Sequence, residues 1–267
     1  MQVLFTQQNE DEKLCQNKFD FAISKNLSSL PLNEIIVEVG KSFIGTNYVA
    51  NILDESSEEK LIVNMRALDC VSFYENALAL ARVIKKEKYT FQNYLDELQL
   101  IRYRGGVIDG YASRLHYTTD YFFDNDKRNI LMVVTDKIIE KKYLSEIPTP
   151  INFMSSHSSS YKQLSDSINQ SKIIQIEKEI SKRKIYFIPK KFISKAKLNH
   201  GDIVGITTNI LGLDISHTGI IFKSANGVIK FLHASQKNKE VEITTESLEK
   251  YLSKNPNQTG IVVVRVK

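Results

Sequence analysis

The spacing of hydrophobic residues predicts one helix that packs against a core early in the chain. Val71, Tyr74, Leu78 and Ala81 recur at steps of three and four residues, which places them on one face of a helix within residues 68–82. This helix begins at a cysteine, and the rest of the sequence bears on what that cysteine does.

Further along, the pattern changes from a helical period to runs typical of strands. Residues 91–101 continue as helix, whereas residues 103–125, rich in glycine, aromatic residues and histidine, predict a shaped loop with short strands. From Tyr186 onward the pattern predicts β-strands, and the apolar run at residues 260–266 predicts a buried strand. Helices followed by strands, without βαβ alternation, indicate an α+β fold.

Cys70 directly follows Asp69, a residue type that is common at helix N-caps. In the first turn of a helix, the free backbone N–H groups and the positive end of the helix dipole favour a thiolate over a thiol. Such a cysteine can act as a nucleophile, and the same N–H groups can receive an oxyanion. The alternative is a small buried apolar residue, which most free cysteines are.

Two histidines lie in predicted strands about 150 residues later. His217 is in the run DISHTGIIF and His233 in VIKFLHASQ. A cysteine at a helix start facing two histidines is suited to acyl transfer: His217 would accept the thiol proton and return it to the leaving amine, and His233 would orient His217. We therefore expect the Cys70 sulfur within about 4 Å of a His217 ring nitrogen.

The loop between these strands decides whether the histidines share a face. Residues 224–227, Ser-Ala-Asn-Gly, are a strong hairpin signal, but a two-residue turn would put His217 and His233 on opposite faces. We therefore predict a three-residue Ala-Asn-Gly loop with its glycine in the left-handed region, which places His217 opposite Ser235 and diagonal to His233. Gly219, on the same face, would leave room for the Cys70 helix.

These motifs together resemble a known family. The order Asp-Cys, Ser-His-x-Gly and His-Ala-Ser resembles the NlpC-type cell-wall cysteine hydrolases of the papain-like superfamily. More narrowly, the chain resembles a bacterial branch, formerly a domain of unknown function, associated with N-acetylmuramoyl-L-alanine amidase activity on peptidoglycan fragments. The likeness extends over nearly everything after residue 35 and includes residues 40–50, 68–80, 103–125, 151–164, 186–190 and 201–208. The usual Asp-Cys-Ser is Asp-Cys-Val-Ser here, so the recognition of the dipeptide end that is usual in the family is not carried over to this chain.

The resemblance implies a papain-like, NlpC-like α+β fold, with a cysteine-bearing helix packed on an antiparallel sheet and with helical and loop elaborations. Under this hypothesis residues 1–267 form a single papain-like catalytic domain. Residues 1–30 would be a peripheral N-terminal segment, and residues 86–199 an elaboration that lines the cleft. Cys70, His217 and His233 would be the catalytic residues.

Five residues are candidates for substrate binding. Tyr48 matches a tyrosine that points into the active site of related enzymes, although it could equally anchor the loop beneath the helix. Arg114 could grip a peptide carboxylate, and the alternative is an ion pair. His116 and Tyr117 belong to the same central motif, where hydrogen-bonded loop residues are the competing interpretation. Asp69 completes the set, beside Cys70.

The composition argues against a nucleic-acid partner, a disulfide and a metal site. The 267 residues have a formal charge of +5, and the lysines are scattered instead of gathered on one element with aromatics, so we expect no nucleic-acid partner. The two cysteines, Cys15 and Cys70, should not form a disulfide, because pairing would silence the nucleophile. The five histidines lack zinc-site spacing, so we expect no metal and no cofactor.

No run is long enough for a membrane helix, so we expect no stable membrane insertion, and we expect a monomer. The start, MQVLFTQQNEDEK, has neither a basic n-region nor a full h-region. It is compatible with a cytoplasmic protein or with a chain from which an export signal is absent. The resemblance favours the bacterial cell envelope, periplasmic or exported.

Three functions compete. The leading hypothesis is a cysteine amidase that cuts the bond between N-acetylmuramic acid and L-alanine in peptidoglycan or in released muropeptides. The second is an NlpC-type endopeptidase that cuts within the stem peptide. The third is an inactive envelope-binding module, which the presence of Cys70, His217 and His233 disfavours. The expected partners are therefore peptidoglycan fragments.

Overall fold

The computed structural model describes residues 2–54 and 58–267, with side chains from residue 9 onward. The helices in this part of the chain are α1 (Gln2–Ser24), α2 (Leu32–Lys41), α3 (Cys70–Lys85), α4 (Phe91–Arg102), α5 (Thr118–Lys127), α6 (Phe153–Ser156), α7 (Ser167–Ser181) and α8 (Leu248–Ser253). The predicted helices at residues 68–82 and 91–101 are confirmed as α3 and α4.

The strands form one mixed sheet. They are β1 (Asn47–Tyr48), β2 (Ala67–Leu68), β3 (Leu131–Val133), β4 (Ser145–Glu146), β5 (Tyr186–Pro189), β6 (Ile203–Thr208), β7 (Ile215–Lys223), β8 (Ile229–Ser235), β9 (Glu240–Ile243) and β10 (Gln258–Val266). Their order is β2-β1-β9-β8-β7-β6-β10-β5-β4, with β3 pairing with β10. All pairs are antiparallel except β1 with β2. The predicted α+β class is confirmed.

Helix α3 starts where the sequence predicts, and for a local reason. The Asp69 side chain accepts a hydrogen bond from the Ser72 backbone N–H at 2.7 Å, and the Asp69 N–H donates to the Ser72 hydroxyl at 2.9 Å. This reciprocal capping box satisfies two backbone donors at once. The helix is almost entirely buried and packs against α2, α4, β7 and β8, so its first residue is held firmly against the sheet.

Helices cover both faces of the sheet. On one face, Ile220 and Leu232 belong to the main core with residues of α2 and α3. On the other, Phe231 belongs to a second apolar cluster with Leu248 and Leu252 of α8. Because successive strand residues point to opposite faces, β7 and β8 supply side chains to both clusters.

The N-terminal segment is more than the peripheral piece that we expected at residues 1–30. Helix α1 buries Cys15, Phe19 and Ala22 completely or nearly so in the main core. The Asp11 carboxylate accepts from the Met65 backbone N–H at 2.8 Å. Most residues of this segment are polar, so its single apolar helix face is not apparent from composition. The face is identified only from its packing against the main core.

The segment 86–199 does more than elaborate the fold, because it contributes β3, β4 and β5 to the sheet. Within residues 103–125 the prediction of loop and short strands is wrong from Thr118 onward, where α5 begins. The start of this helix is held by a distant residue: Thr119 donates from its backbone N–H and its hydroxyl to Asp214 at 2.8 and 2.7 Å.

Phe19→Ala should destabilise the protein by about 3–5 kcal/mol, because it removes a fully buried aromatic side chain from the core. Ile23→Ala on the exposed side of the same helix is the matched control, with an expected change within about 0.5 kcal/mol. Urea denaturation of both variants measures the difference. Equal, small effects would mean that α1 packs loosely on the rest of the chain.

Candidate functional site

The β7–β8 hairpin has the predicted three-residue loop. The Ser224 backbone N–H donates to the Val228 carbonyl at 3.0 Å, and the Gly227 N–H donates to the Ser224 carbonyl at 2.8 Å. Gly227 has a φ of 80°, in the left-handed region. The paired residues run from Lys223 with Ile229 to Ile220 with Leu232. Continued toward the start of β7, this register puts His217 opposite Ser235, as predicted.

His217 and His233 are in direct contact. The His217 Nε2 lies 2.7 Å from the His233 Nδ1, and the two rings are nearly perpendicular. The His233 ring also stacks on Phe231. Burial lowers the pKa of His217 to about 3, with His233 acting in the same direction, and burial lowers the pKa of His233 to about 4. Both imidazoles are therefore neutral at neutral pH.

Cys70 is attached to the strand that carries His217. The Thr218 hydroxyl donates a hydrogen bond to the Cys70 carbonyl at 2.7 Å. Thr218 also hydrogen bonds with the thiol, which is half-buried. The N-terminus of α3 therefore lies beside the residue that follows His217. The expected contact between the Cys70 sulfur and the His217 ring remains a prediction.

The expectation of a thiolate at Cys70 is corrected. Burial raises the pKa of the Cys70 thiol to about 12, and the Asp69 carboxylate acts in the same direction, against the hydrogen bonds from Thr218. A helix N-terminus contributes about 0.3–1 kcal/mol to stabilising an anion, which is less than the value of one pKa unit, about 1.4 kcal/mol. Desolvation therefore decides the charge, and the thiol is protonated at neutral pH.

Gly219 has a different role from the one expected. A Cβ at this position would lie 2.6 Å from the Leu232 carbonyl oxygen and 2.7 Å from the Phe231 ring. The space is occupied by β8, whereas α3 packs on the other face of β7, where Thr218 points. The glycine therefore allows Phe231 to pack close beside the histidine pair.

Tyr48 lies near the cysteine. Burial raises the pKa of the Tyr48 hydroxyl to about 12, and Cys70 and Asp69 both contribute to the rise. These three side chains are thus close enough to interact electrostatically. Strand β1, which carries Tyr48, pairs in parallel with β2, immediately before Asp69. The pairing of these two short strands positions the tyrosine.

Arg114 is buried in an ion-pair cluster. Its guanidinium pairs with the Asp54 carboxylate and, through Nε, with Glu59 at 3.3 Å, and it lies over the Tyr111 ring. The ion-pair alternative to carboxylate recognition is therefore observed, and the arginine is buried. Its substrate-binding role remains a prediction.

His116 and Tyr117 also make internal hydrogen bonds. The His116 Nε2–H donates to the Tyr111 carbonyl at 2.8 Å, and burial holds the pKa of His116 well below its usual range. The Tyr117 hydroxyl donates to Glu177 at 2.7 Å and accepts from the Met154 N–H at 2.9 Å. These contacts stabilise the loop around them, and contact with a substrate remains a prediction for both.

Sequence reasoning missed Thr218 and Ser72. Ser72 could have been found, since a hydroxyl three residues after an N-cap aspartate is a local signal for a capping box. Thr218 carries no such signal, because its partner Cys70 is 148 residues away in the chain.

Two further observations concern metals and membranes. Within residues 2–54 and 58–267, no group of three or more His, Cys, Asp or Glu side chains could hold a metal ion. None of the helices formed by the described residues is long and apolar enough to span a membrane.

With the geometry established, comparison with known proteins defines the family. Residues 38–261 match the AmiA-like family, described as N-acetylmuramoyl-L-alanine amidase-like. The chain belongs to this AmiA-like family. Among curated proteins, none matched the chain.

Solved structures agree with this assignment. An N-acetylmuramoyl-L-alanine amidase from Bacteroides uniformis is 33% identical, with 88% of this chain and 99% of that chain covered and a TM-score of 0.80. A Bacteroides fragilis protein named as a candidate xylanase is also 33% identical, with 85% and 98% covered and a TM-score of 0.78. A Legionella pneumophila protein, 20% identical over 98% of this chain and 96% of its own, has a TM-score of 0.70 and shares the fold.

The buried histidines predict a loss of stability in acid. In the folded protein His217 and His233 have pKa values of about 3 and about 4, below the value of about 6.5 expected for an unfolded chain. The unfolded state therefore binds more protons as the pH falls below about 6.5, and the free energy of unfolding decreases.

The measurement is the free energy of unfolding between pH 7 and pH 4, for wild type and for the double variant His217→Asn/His233→Asn. The double variant should lose less stability over this range, and His116, whose pKa is lowered in both proteins, accounts for part of what remains. An identical decline in both proteins would contradict the burial of a neutral histidine pair.

Proposed function

We propose that this AmiA-like chain is a cysteine amidase that hydrolyses the bond between the lactyl group of N-acetylmuramic acid and L-alanine, in peptidoglycan or in released muropeptides. The observation that carries the proposal is the 2.7 Å contact between His217 and His233 on the strand pair to which Thr218 attaches the start of the Cys70 helix. The names of the Bacteroides uniformis structures supply the bond that is cut.

In the acylation step, the Cys70 sulfur attacks the lactyl carbonyl carbon while His217 accepts the thiol proton. The neutral resting state of both groups suits this role, because an uncharged imidazole has a lone pair for the proton. Proton transfer accompanies the attack, so a free thiolate is not required beforehand. His233 holds the His217 ring in position.

The tetrahedral oxyanion forms beside the N-terminus of α3. Backbone N–H groups at a helix start are suited to stabilise negative charge that develops there. Because burial raises the pKa of Tyr48 to about 12, its hydroxyl stays protonated and can donate a hydrogen bond to the oxyanion or to the substrate carbonyl.

The intermediate collapses when His217 returns the proton to the amine nitrogen of L-alanine. The carbon–nitrogen bond breaks, the peptide leaves with a free amino group, and a thioester joins the lactyl group to Cys70. A water molecule, deprotonated by His217, then attacks the thioester carbon. The carbon–sulfur bond breaks, the sulfur recovers its proton, and the sugar leaves with a free lactyl carboxylate.

A glycosidase reaction, which the name of the Bacteroides fragilis relative suggests for that protein, would need a pair of carboxyl groups about 5–9.5 Å apart across the scissile bond. Two imidazoles in direct contact, with the start of the Cys70 helix held beside the same strand, favour acyl transfer instead. We further propose that the arrangement is papain-like and NlpC-type, that residues 86–199 line the cleft, and that the protein acts at the bacterial cell envelope.

Cys70→Ala and Cys70→Ser should abolish hydrolysis with the fold retained, because neither side chain can form the thioester. Cys15→Ala, which changes the buried cysteine of α1, is the matched control and should keep its turnover number. The measurement is release of L-alanyl peptide from a synthetic N-acetylmuramoyl-L-alanyl dipeptide, with circular dichroism to verify folding. Substantial turnover by Cys70→Ala would refute the cysteine mechanism.

The products should be a free sugar acid and an intact stem peptide that begins with L-alanine, since the proposed cut is at the lactyl amide. Mass spectrometry of muropeptides digested with the wild-type protein separates this result from that of a stem-peptide endopeptidase. A shortened stem still attached to the sugar would contradict the amidase proposal and would indicate an endopeptidase that uses the same catalytic residues.

A further inference from the structure

The histidine pair ends in a buried nitrogen that lacks a partner. The Nε2 atom of His233 is buried and has no hydrogen-bond partner among the described residues. A buried donor without a partner is costly, and in a native protein it calls for an explanation. The Glu242 carboxylate is the charged group beside it: its Oε1 lies 3.8 Å from this nitrogen.

Backbone pairing holds Glu242 at this position. His233 on β8 is paired directly with Glu242 on β9, so the two side chains project from the same face of the sheet. The Asn238 side-chain amide donates to both Glu242 carboxylate oxygens at 2.8 Å, which orients the carboxylate. A shift of about 1 Å would bring Glu242 and His233 to hydrogen-bond distance, and such contacts often tighten when substrate binds.

The proposed reaction requires a particular tautomer of both rings. If His217 accepts the Cys70 proton on Nδ1, its Nε2 must carry a hydrogen, which it donates to His233 Nδ1. The neutral His233 then carries its own hydrogen on Nε2, which is the atom that faces Glu242. The carboxylate would accept this hydrogen and so select the tautomer that the reaction needs.

The charge that develops in the reaction is a second reason to expect a functional carboxylate beside His233. The proton that leaves Cys70 arrives on a pair of imidazoles of which His233 is buried, and a buried cation is unfavourable unless an anion lies close by. The groups that surround His233 are His217 from β7, Glu242 from β9 and the ring of Tyr251 from α8, whose centroid is 5.2 Å away. Of these, Glu242 supplies negative charge.

We propose that Glu242 is a positioning residue for the amidase reaction, acting through His233 to set the tautomer and orientation of His217 and to stabilise the pair when it is protonated. This inference rests on the proposed function, because it assigns a role within the same proton path. Glu242 lies behind His233 and acts without contacting the reacting atoms.

The test compares Glu242→Ala, Glu242→Gln and the control Glu240→Gln, with the synthetic N-acetylmuramoyl-L-alanyl dipeptide as substrate. Glu242→Ala should lower kcat about 10- to 100-fold with KM changed less than about 2-fold, because a charge-assisted hydrogen bond to the base is lost. Glu242→Gln should lower kcat less than Glu242→Ala does, since its amide oxygen still accepts the hydrogen bond from His233 without supplying charge. Glu240 lies on the same face of β9, two residues away and exposed, so its variant should match wild type.

The pH profile distinguishes this role from a purely structural one. Removing a negative charge disfavours the protonated histidine pair, so the acidic limb of kcat should move to lower pH in both Glu242 variants. A structural role would lower activity equally at all pH values. Unchanged kcat and an unshifted limb in Glu242→Ala would overturn the proposal, as would an equal effect in Glu240→Gln.

A substrate-independent measurement separates failure of this inference from failure of the proposed function. Imidazole ¹⁵N chemical shifts report which ring nitrogen carries hydrogen. In wild type they should show His233 protonated on Nε2, and in Glu242→Ala a mixture of tautomers. If the dipeptide is not cleaved but the shifts respond in this way, the Glu242–His233 contact stands and the assigned reaction is wrong. If cleavage occurs and the shifts do not respond, the inference is wrong and the reaction stands.

Discussion

The backbone pairing of β7 with β8 is the constraint on which the candidate site depends. Side chains alternate along a strand, so a shift of one residue would move His233 to the face occupied by α3 and separate it from His217. The three-residue loop that ends in Gly227, with its left-handed φ of 80°, sets this register and pairs Ile220 with Leu232. The contact of the two imidazoles follows directly.

Strand β7 also joins the two faces of the protein. Thr218 points toward α3 and holds its first residue by a hydrogen bond to the Cys70 carbonyl, while His217 belongs to the face where Phe231 and Tyr251 enclose the histidine pair. The helix that begins at Cys70 and the histidine pair therefore lie on opposite faces of the sheet, and both contact β7. A change that loosens α3 from β7 would therefore displace Cys70 before it displaced the histidines.

Burial controls the chemistry of this site more strongly than the helix dipole does. It raises the pKa of the Cys70 thiol to about 12 and lowers the pKa of His217 to about 3, so both groups are neutral at neutral pH. Elsewhere in the fold a buried arginine is compensated by a carboxylate: Arg102 of α4 pairs with Glu75 of α3 at 2.8 Å. The Glu242 carboxylate lies in a similar position beside the histidines.

The sequence by itself determined the start of α3, the loop of the histidine hairpin and the α+β class, because these depend on short-range patterns. A capping box needs residues three apart, and hairpin parity needs only the turn residues and their spacing. The tertiary structure alone decided the burial of α1 and the pairing of Glu242 with His233. It also decided the start of α5, where the Thr119 N–H donates to Asp214, 95 residues away in the chain. It also reversed the expected charge of Cys70, since desolvation depends on every layer packed around the thiol and cannot be read from its neighbours in the chain.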